Sequence, residues 1–237
     1  MNTTITDQQL NTFRRIEARY GHLVKLPSAG FWRTWSEDDI WIRVVSQVVV
    51  VGNEQPRRKL YEPANRDRLQ YGVLCRLRDD QVSLKIGHVL RDIATRYVSA
   101  QAPEQSQKVR ALVKNLRTLD AFEGGPIGFI DAISKLDSGK SKVKFVEDHL
   151  AYIKSKGARD FLTSGLGLVT DCIALDSRVM GVVRAIVPGF PEKPTPDTYD
   201  ELEQFLVREI CAPLQVTPAH LDQLLFRFSD DILSTLH

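Results

Sequence analysis

The residues with the most chemical reach lie between positions 154 and 183, in "KSKGARDFLTSGLGLVTDCIALDSRVMGVV". Lys154, Lys156 and Arg159 are gathered at its start, and Asp176 and Arg178 interrupt a run apolar enough to be buried. Two chemistries suit these types. If "KSKGA" turns the chain between two helices, its backbone N–H groups at Gly157 and its cationic side chains can meet a phosphate. The start of the second helix then adds a favourable field. Asp176, directly before "SRVMGVVRAI", fits a helix N-cap whose carboxylate accepts the N–H of Arg178 or Val179. On spacing alone, Asp176 as a plain cap and Lys156 as a surface lysine in a turn remain the competing explanation.

The chain that must position these groups has 237 residues, 43% hydrophobic and 26% charged, which is ordinary for a globular protein of one large domain or two lobes. A net charge of +2 and a pI near 8.4 are only mildly basic, so any nucleic-acid surface has to be local. The three cysteines, Cys75, Cys172 and Cys211, form no CxxC pair, which argues against a disulfide framework, a zinc site or a four-cysteine iron–sulfur cluster and suits a reducing cytoplasm. No run approaches the roughly 18 apolar residues of a membrane span, and the first residues have no signal-peptide core. There is no Walker A loop, GxSxG or HExxH, and the five histidines give no ligand pair at helical spacing.

Helical periodicity dominates. Leu10, Phe13, Ile16 and Tyr20 share one face of a helix over 7–20. Ser36 and Asp39 form a shortened capping box before "IWIRVVSQVVVV", which its β-branched residues would also suit as a buried strand; the cap, and Gly52 and Pro56 after it, favour a helix over 40–51. Further helices are expected over 82–98, 106–120 and 143–153, with a solvated turn over 136–142 and a second hairpin helix starting near Arg159. Pro188, Pro191, Pro194 and Pro196 mark an extended linker. Thr198 with Glu201, and Thr217 with Pro218, open two capped helices in a C-terminal group over about 198–237. The expected fold class is all-α, with about ten helices.

A lysine early in a helical hairpin, followed by Ala158, "FL" at 161–162 and "IALD" at 173–176, resembles the helix-hairpin-helix DNA glycosylase superfamily, and within it the archaeal-type 8-oxoguanine DNA glycosylase/lyase branch. "YDELEQFLVREICAPLQVTPAHLDQLLF", from Tyr199 to Phe226, is similar to that branch's closing helices. The chain departs from the family pattern at "IKSKG", where a lysine replaces the usual second hairpin glycine, and at "LDQLLF", where the family often has a tryptophan.

The resemblance implies a single two-lobed helical domain over 1–237, with the hairpin and catalytic segment at about 143–187. It implies base excision from damaged double-stranded DNA, of a lesion such as 8-oxoguanine, by a cytoplasmic monomer without cofactor or metal. Lys156 would be the amine that attacks the sugar and forms a Schiff base, helped by the nearby cations Lys154 and Arg159, and Asp176 the carboxylate that stabilises charge on the sugar. Lys154, Gly157, Arg159 and Arg178 would contact DNA. Because the base must leave the duplex to be read, Gln47, Asn53 and Trp32, with Phe31 and Trp35 nearby, are the candidates for pocket and wedge. A monofunctional glycosylase using Asp176 and water, and a non-catalytic helical DNA-binding protein, are the alternatives.

Overall fold

The structure, a computed structural model, describes residues 4–50 and 55–236. Among the described residues there is no β-strand, so the all-α expectation holds. The chain divides into two compact units: one made of 1–30 and 155–237, the other of 31–154. Asn53 lies outside the described residues.

In the unit made of 31–154, Ser36 opens the helix Glu37–Val49: its Oγ accepts the Asp39 N–H at 3.2 Å, and the Ser36 N–H donates to Asp39 Oδ2 at 2.8 Å. The shorter acid therefore completes the box, and the β-branched run folds as a helix. Its residues from Ile40 to Val49 are all buried, and it packs against the helices Gln107–Asp120 and Gly125–Ser134. The helix expected over 82–98 runs instead from Asp79 to Asp92, stopped where Ala94 takes a left-handed φ of 58°. Tyr97, assigned by spacing to its apolar face, is exposed and also left-handed.

The expected solvated turn at 136–142 is largely helix. Ser138 Oγ accepts the Ser141 N–H at 3.1 Å and starts the helix Gly139–His149 one turn early. That helix ends at Leu150, and both amide atoms of buried Asn115 hold Ala151 just beyond it, at 3.0 Å to its carbonyl and 2.6 Å from its N–H.

The other unit surrounds an apolar core from Phe13, Ile16 and Tyr20 of the helix Asp7–Tyr20, Val179, Val182 and Val183, Leu202, Phe205 and Leu206, and Leu221, Leu224 and Leu225. The helix expected to start near Arg159 begins at Ser155, runs to Asp160 and widens into a π-helical stretch, Phe161–Gly165; a second such stretch, Val207–Cys211, follows later in the same unit. Such widened turns are rare and cluster at functional sites. An irregular segment then leads to the helix Ser177–Ile186. After the proline-rich stretch come Tyr199–Leu206, Pro218–Arg227 and Ser229–Leu236. Thr217 caps Pro218–Arg227 through the His220 N–H at 3.2 Å. Thr198 makes no such cap; its side chain bonds Thr195, which folds the end of the linker.

Candidate active site

Asp176 sits where its helix requires a cap. Its Oδ1 accepts the N–H of Arg178 at 2.9 Å and of Val179 at 3.1 Å, taking up two of the donors that a helix start leaves unpaired. Its Oδ2 lies 3.8 Å from Lys156 Nζ. Lys156 falls in the first turn of Ser155–Asp160 rather than in the turn before it. The lysine side chain is 41% exposed and the aspartate only 14%, so the amine is open to a ligand while the carboxylate is largely sheltered.

Two residues flanking the pair present cations outward. Lys154 is exposed, and Arg178 is exposed with its guanidinium 4.9 Å from the Phe226 ring centroid. Gly157, expected in the turn, lies inside the short helix and is half-buried.

Arg159 corrects the expectation of a phosphate contact, because it is 4% exposed and points into the protein. Its Nε donates to Glu203 Oε1 at 2.9 Å and a terminal nitrogen to Glu203 Oε2 at 2.6 Å, a bidentate pair stacked on the Tyr199 ring at 4.3 Å. Burial opposes its charge, but the Glu203 hydrogen bonds and charge outweigh it and hold the guanidinium pKa above its ordinary value. A cation matched by its own carboxylate cannot also act on Lys156 as a bare charge.

The stacking and wedge candidates also sort by burial. Trp32 is 4% exposed, with Arg33 over its ring at 4.6 Å, so it is a core residue and not a wedge. Its neighbour Phe31 is 43% exposed and edge-on to half-buried Trp35. Gln47 is buried on the helix Glu37–Val49.

Three polar residues near the pair escaped the sequence reading: Tyr199, Glu203 and Asp222. Asp222 is buried, accepts from Gln223 Nε2 at 3.1 Å, and has a pKa pushed up to about 8. Burial is the chief cause, the charges of Asp160 and Asp176 add to it, and Lys156 opposes it. Its signal in the sequence was the same as that of Asp176, a carboxylate within an apolar run, "HLDQLL". Among the described residues no group of three or more His, Cys, Asp and Glu could hold a metal ion, and no helix is long and apolar enough to cross a membrane.

No family model and no curated protein matches the chain. Solved structures do. The 8-oxoguanine DNA glycosylase of Thermotoga maritima is 19% identical with a TM-score of 0.64, over 92% of this chain and 94% of that one. The 8-oxoguanine DNA glycosylase of Methanocaldococcus jannaschii is 12% identical with a TM-score of 0.63, over 92% of each chain. The glycosylase/lyase of the same organism, in complex with a 15mer DNA containing 8-oxoguanine, is 11% identical with a TM-score of 0.63, over 94% of this chain and 97% of that one. The chain thus shares the all-helical fold of archaeal and bacterial 8-oxoguanine DNA glycosylases.

Proposed function

We propose that the protein is a base-excision repair enzyme, a DNA N-glycosylase with AP lyase activity that removes an oxidised purine such as 8-oxoguanine from duplex DNA. The observation that carries this reading is the 3.8 Å approach of Lys156 Nζ to the capping carboxylate of Asp176, on a fold shared with glycosylases of that lesion. A primary amine can attack the sugar C1′, expel the base and keep the sugar as a Schiff base; β-elimination then breaks the strand on the 3′ side and water releases the lysine. To attack, the amine must first give up a proton, and Asp176 Oδ2, 3.8 Å away, is the carboxylate that would accept it after closing to hydrogen-bond distance. The same carboxylate, held by its cap bonds, opposes the positive charge that grows on the sugar as the base departs.

The remaining assignments follow from exposure. Lys154, Arg178 and the Gly157 backbone are the proposed phosphate contacts. Asp222, held protonated by burial, is as enclosed as Gln47 and is assigned no contact with the base. Gln47 is a base contact only if base entry uncovers it. The partner is damaged double-stranded DNA, the enzyme acts as a monomer, and it works in the cytoplasm, on the nucleoid in a prokaryote.

Borohydride trapping on duplexes holding 8-oxoguanine or a bare abasic site tests this. The wild-type protein is expected to form a covalent adduct that Lys156→Gln does not. Base release without any adduct would convert the reading to a monofunctional glycosylase using Asp176 and water. Neither release nor adduct would remove the enzymatic reading.

A further inference from the structure

The segment 172–176 that ends at Asp176 is irregular, so helical hydrogen bonds do not hold it. Side chains of one distant helix do so instead. Glu203 Oε1 accepts the Ile173 N–H at 2.7 Å. The Tyr199 hydroxyl accepts the Leu175 N–H at 2.8 Å and donates to the Ile173 carbonyl at 3.2 Å, gripping the chain on both sides of Ala174. Within that grip the Asp176 N–H turns back to the Ala174 carbonyl at 2.7 Å. Burial raises the Tyr199 pKa far above its ordinary value, so the hydroxyl keeps the proton it donates.

The same helix reaches the other partner of the pair. Glu203 and the Tyr199 ring hold Arg159, whose guanidinium also donates to the Ser155 carbonyl at 3.3 Å, the residue before Lys156. One buried cluster therefore fixes both ends of the Lys156–Asp176 distance. Arg159, Glu203 and Tyr199 are each at most 5% exposed, and no atom of the cluster needs to meet DNA to do this.

We propose that Tyr199 and the Glu203–Arg159 pair are positioning residues for the lysine–aspartate pair, acting on catalysis through the placement of Asp176 and the Lys156 helix. The inference rests on the function proposed above. Polar side chains satisfying the backbone of an irregular segment are a general way to close the account of buried N–H and C=O groups. What points beyond stability is location, since the gripped residues lead directly into the carboxylate. A misplacement on the order of 1 Å in a reacting group can cost about a hundredfold in rate.

A double-mutant cycle tests it, with single-turnover rates on the 8-oxoguanine and abasic duplexes for the wild type, Tyr199→Phe, Asp176→Asn and the double variant. Tyr199→Phe is expected to slow the chemical step by about tenfold to a hundredfold while leaving affinity for the duplex unchanged. The double variant should be no slower than Asp176→Asn alone, because the hydroxyl has nothing left to aim. If Tyr199→Phe slows the Asp176→Asn background by the factor it slows the wild type, or slows neither, the inference is overturned. Should Tyr199→Phe not fold, Glu203→Gln is measured alone: it keeps an oxygen for the Ile173 N–H but loosens the Arg159 pair that holds the Lys156 helix, so a slower chemical step at unchanged duplex affinity is expected, and no slowing would overturn the inference. If the wild type acts on neither duplex, the functional reading fails, and thermal melting decides the placement. Asp176→Ala must then lower Tm less in the Tyr199→Phe background than in the wild type, and an equal loss in both would refute it.

Discussion

Asp176 divides its two carboxylate oxygens between two tasks: Oδ1 accepts the N–H groups of Arg178 and Val179, and Oδ2 lies 3.8 Å from Lys156 Nζ. The competing sequence readings, helix cap and catalytic carboxylate, are thus compatible in one residue.

This division separates stability from chemistry by substitution. Asparagine caps a helix about as well as aspartate, whereas alanine costs roughly 0.5–2 kcal/mol. Asp176→Asn is therefore expected to keep Tm and to slow base excision to a low but measurable rate, and Asp176→Ala to lower both. Equal activity in Asp176→Asn and wild type would confine the residue to the cap.

Arg159 and Lys154 should respond in opposite ways. Arg159→Leu leaves Glu203 buried without its cation, which costs about 3–5 kcal/mol, read as a lower denaturation midpoint. Lys154 is exposed, so Lys154→Ala should leave the midpoint where it is and reduce the slope of log affinity against log salt by about 1 on duplex DNA. A reduced salt slope for Arg159→Leu, with stability intact, would contradict the internal pairing.

Asp222 ties stability to pH. In the unfolded chain its carboxyl ionises near pH 3.9, at the ordinary value for aspartate, whereas in the native state it keeps its proton until about pH 8. Between those values the native state holds more protons than the unfolded one. This contribution to stability is therefore fully present below about pH 4, falls as pH rises through the window, and levels off above about pH 8. The slope is at most about 1.4 kcal/mol per pH unit. Asp222→Asn should remove it, so that the variant gains on the wild type between pH 5 and 8; parallel melting curves across that range would count against a buried protonated carboxyl.

Gly167 stands between the π-helical stretch and the segment leading to Asp176. Its φ is +63°, and a Cβ there would lie 2.9 Å from the Pro27 carbonyl oxygen and 3.2 Å from that of Ser28. Gly167→Ala therefore meets both backbone strain, roughly 1–2 kcal/mol for a left-handed residue, and a clash. The expected result is a Tm lowered by several degrees, checked by calorimetry; an unchanged Tm would show that the 25–28 loop gives way at no cost.

Much of this molecule was written locally. Ser36 with Asp39, and Thr217 with Pro218, announced their helices because a cap and the donors it satisfies lie within one turn of each other. Lys156 and Asp176 could be paired through the resemblance of their surroundings, and Asp176 as a cap needed only its own helix. The errors also have local causes: Ser138, unrecognised as a cap, concealed the start of one helix, and left-handed Ala94 ended another where the apolar spacing ran on.

What only the tertiary structure decided is the fate of charges and rings whose partners are remote in sequence. Arg159 reads as a phosphate contact until Glu203, from a later helix, takes its guanidinium, and Trp32 reads as a wedge until burial removes it from the surface. Tyr199 and Glu203 carried no local sign of their place near Asp176. Sequence alone determined the helical class, the caps at Ser36, Asp176 and Thr217 and the chemistry available at Lys156 and Asp176, because those depend on residues a turn or two apart. Which side chains were buried, paired and held protonated was settled by packing, because desolvation and ion pairing act between groups that only the folded chain brings together.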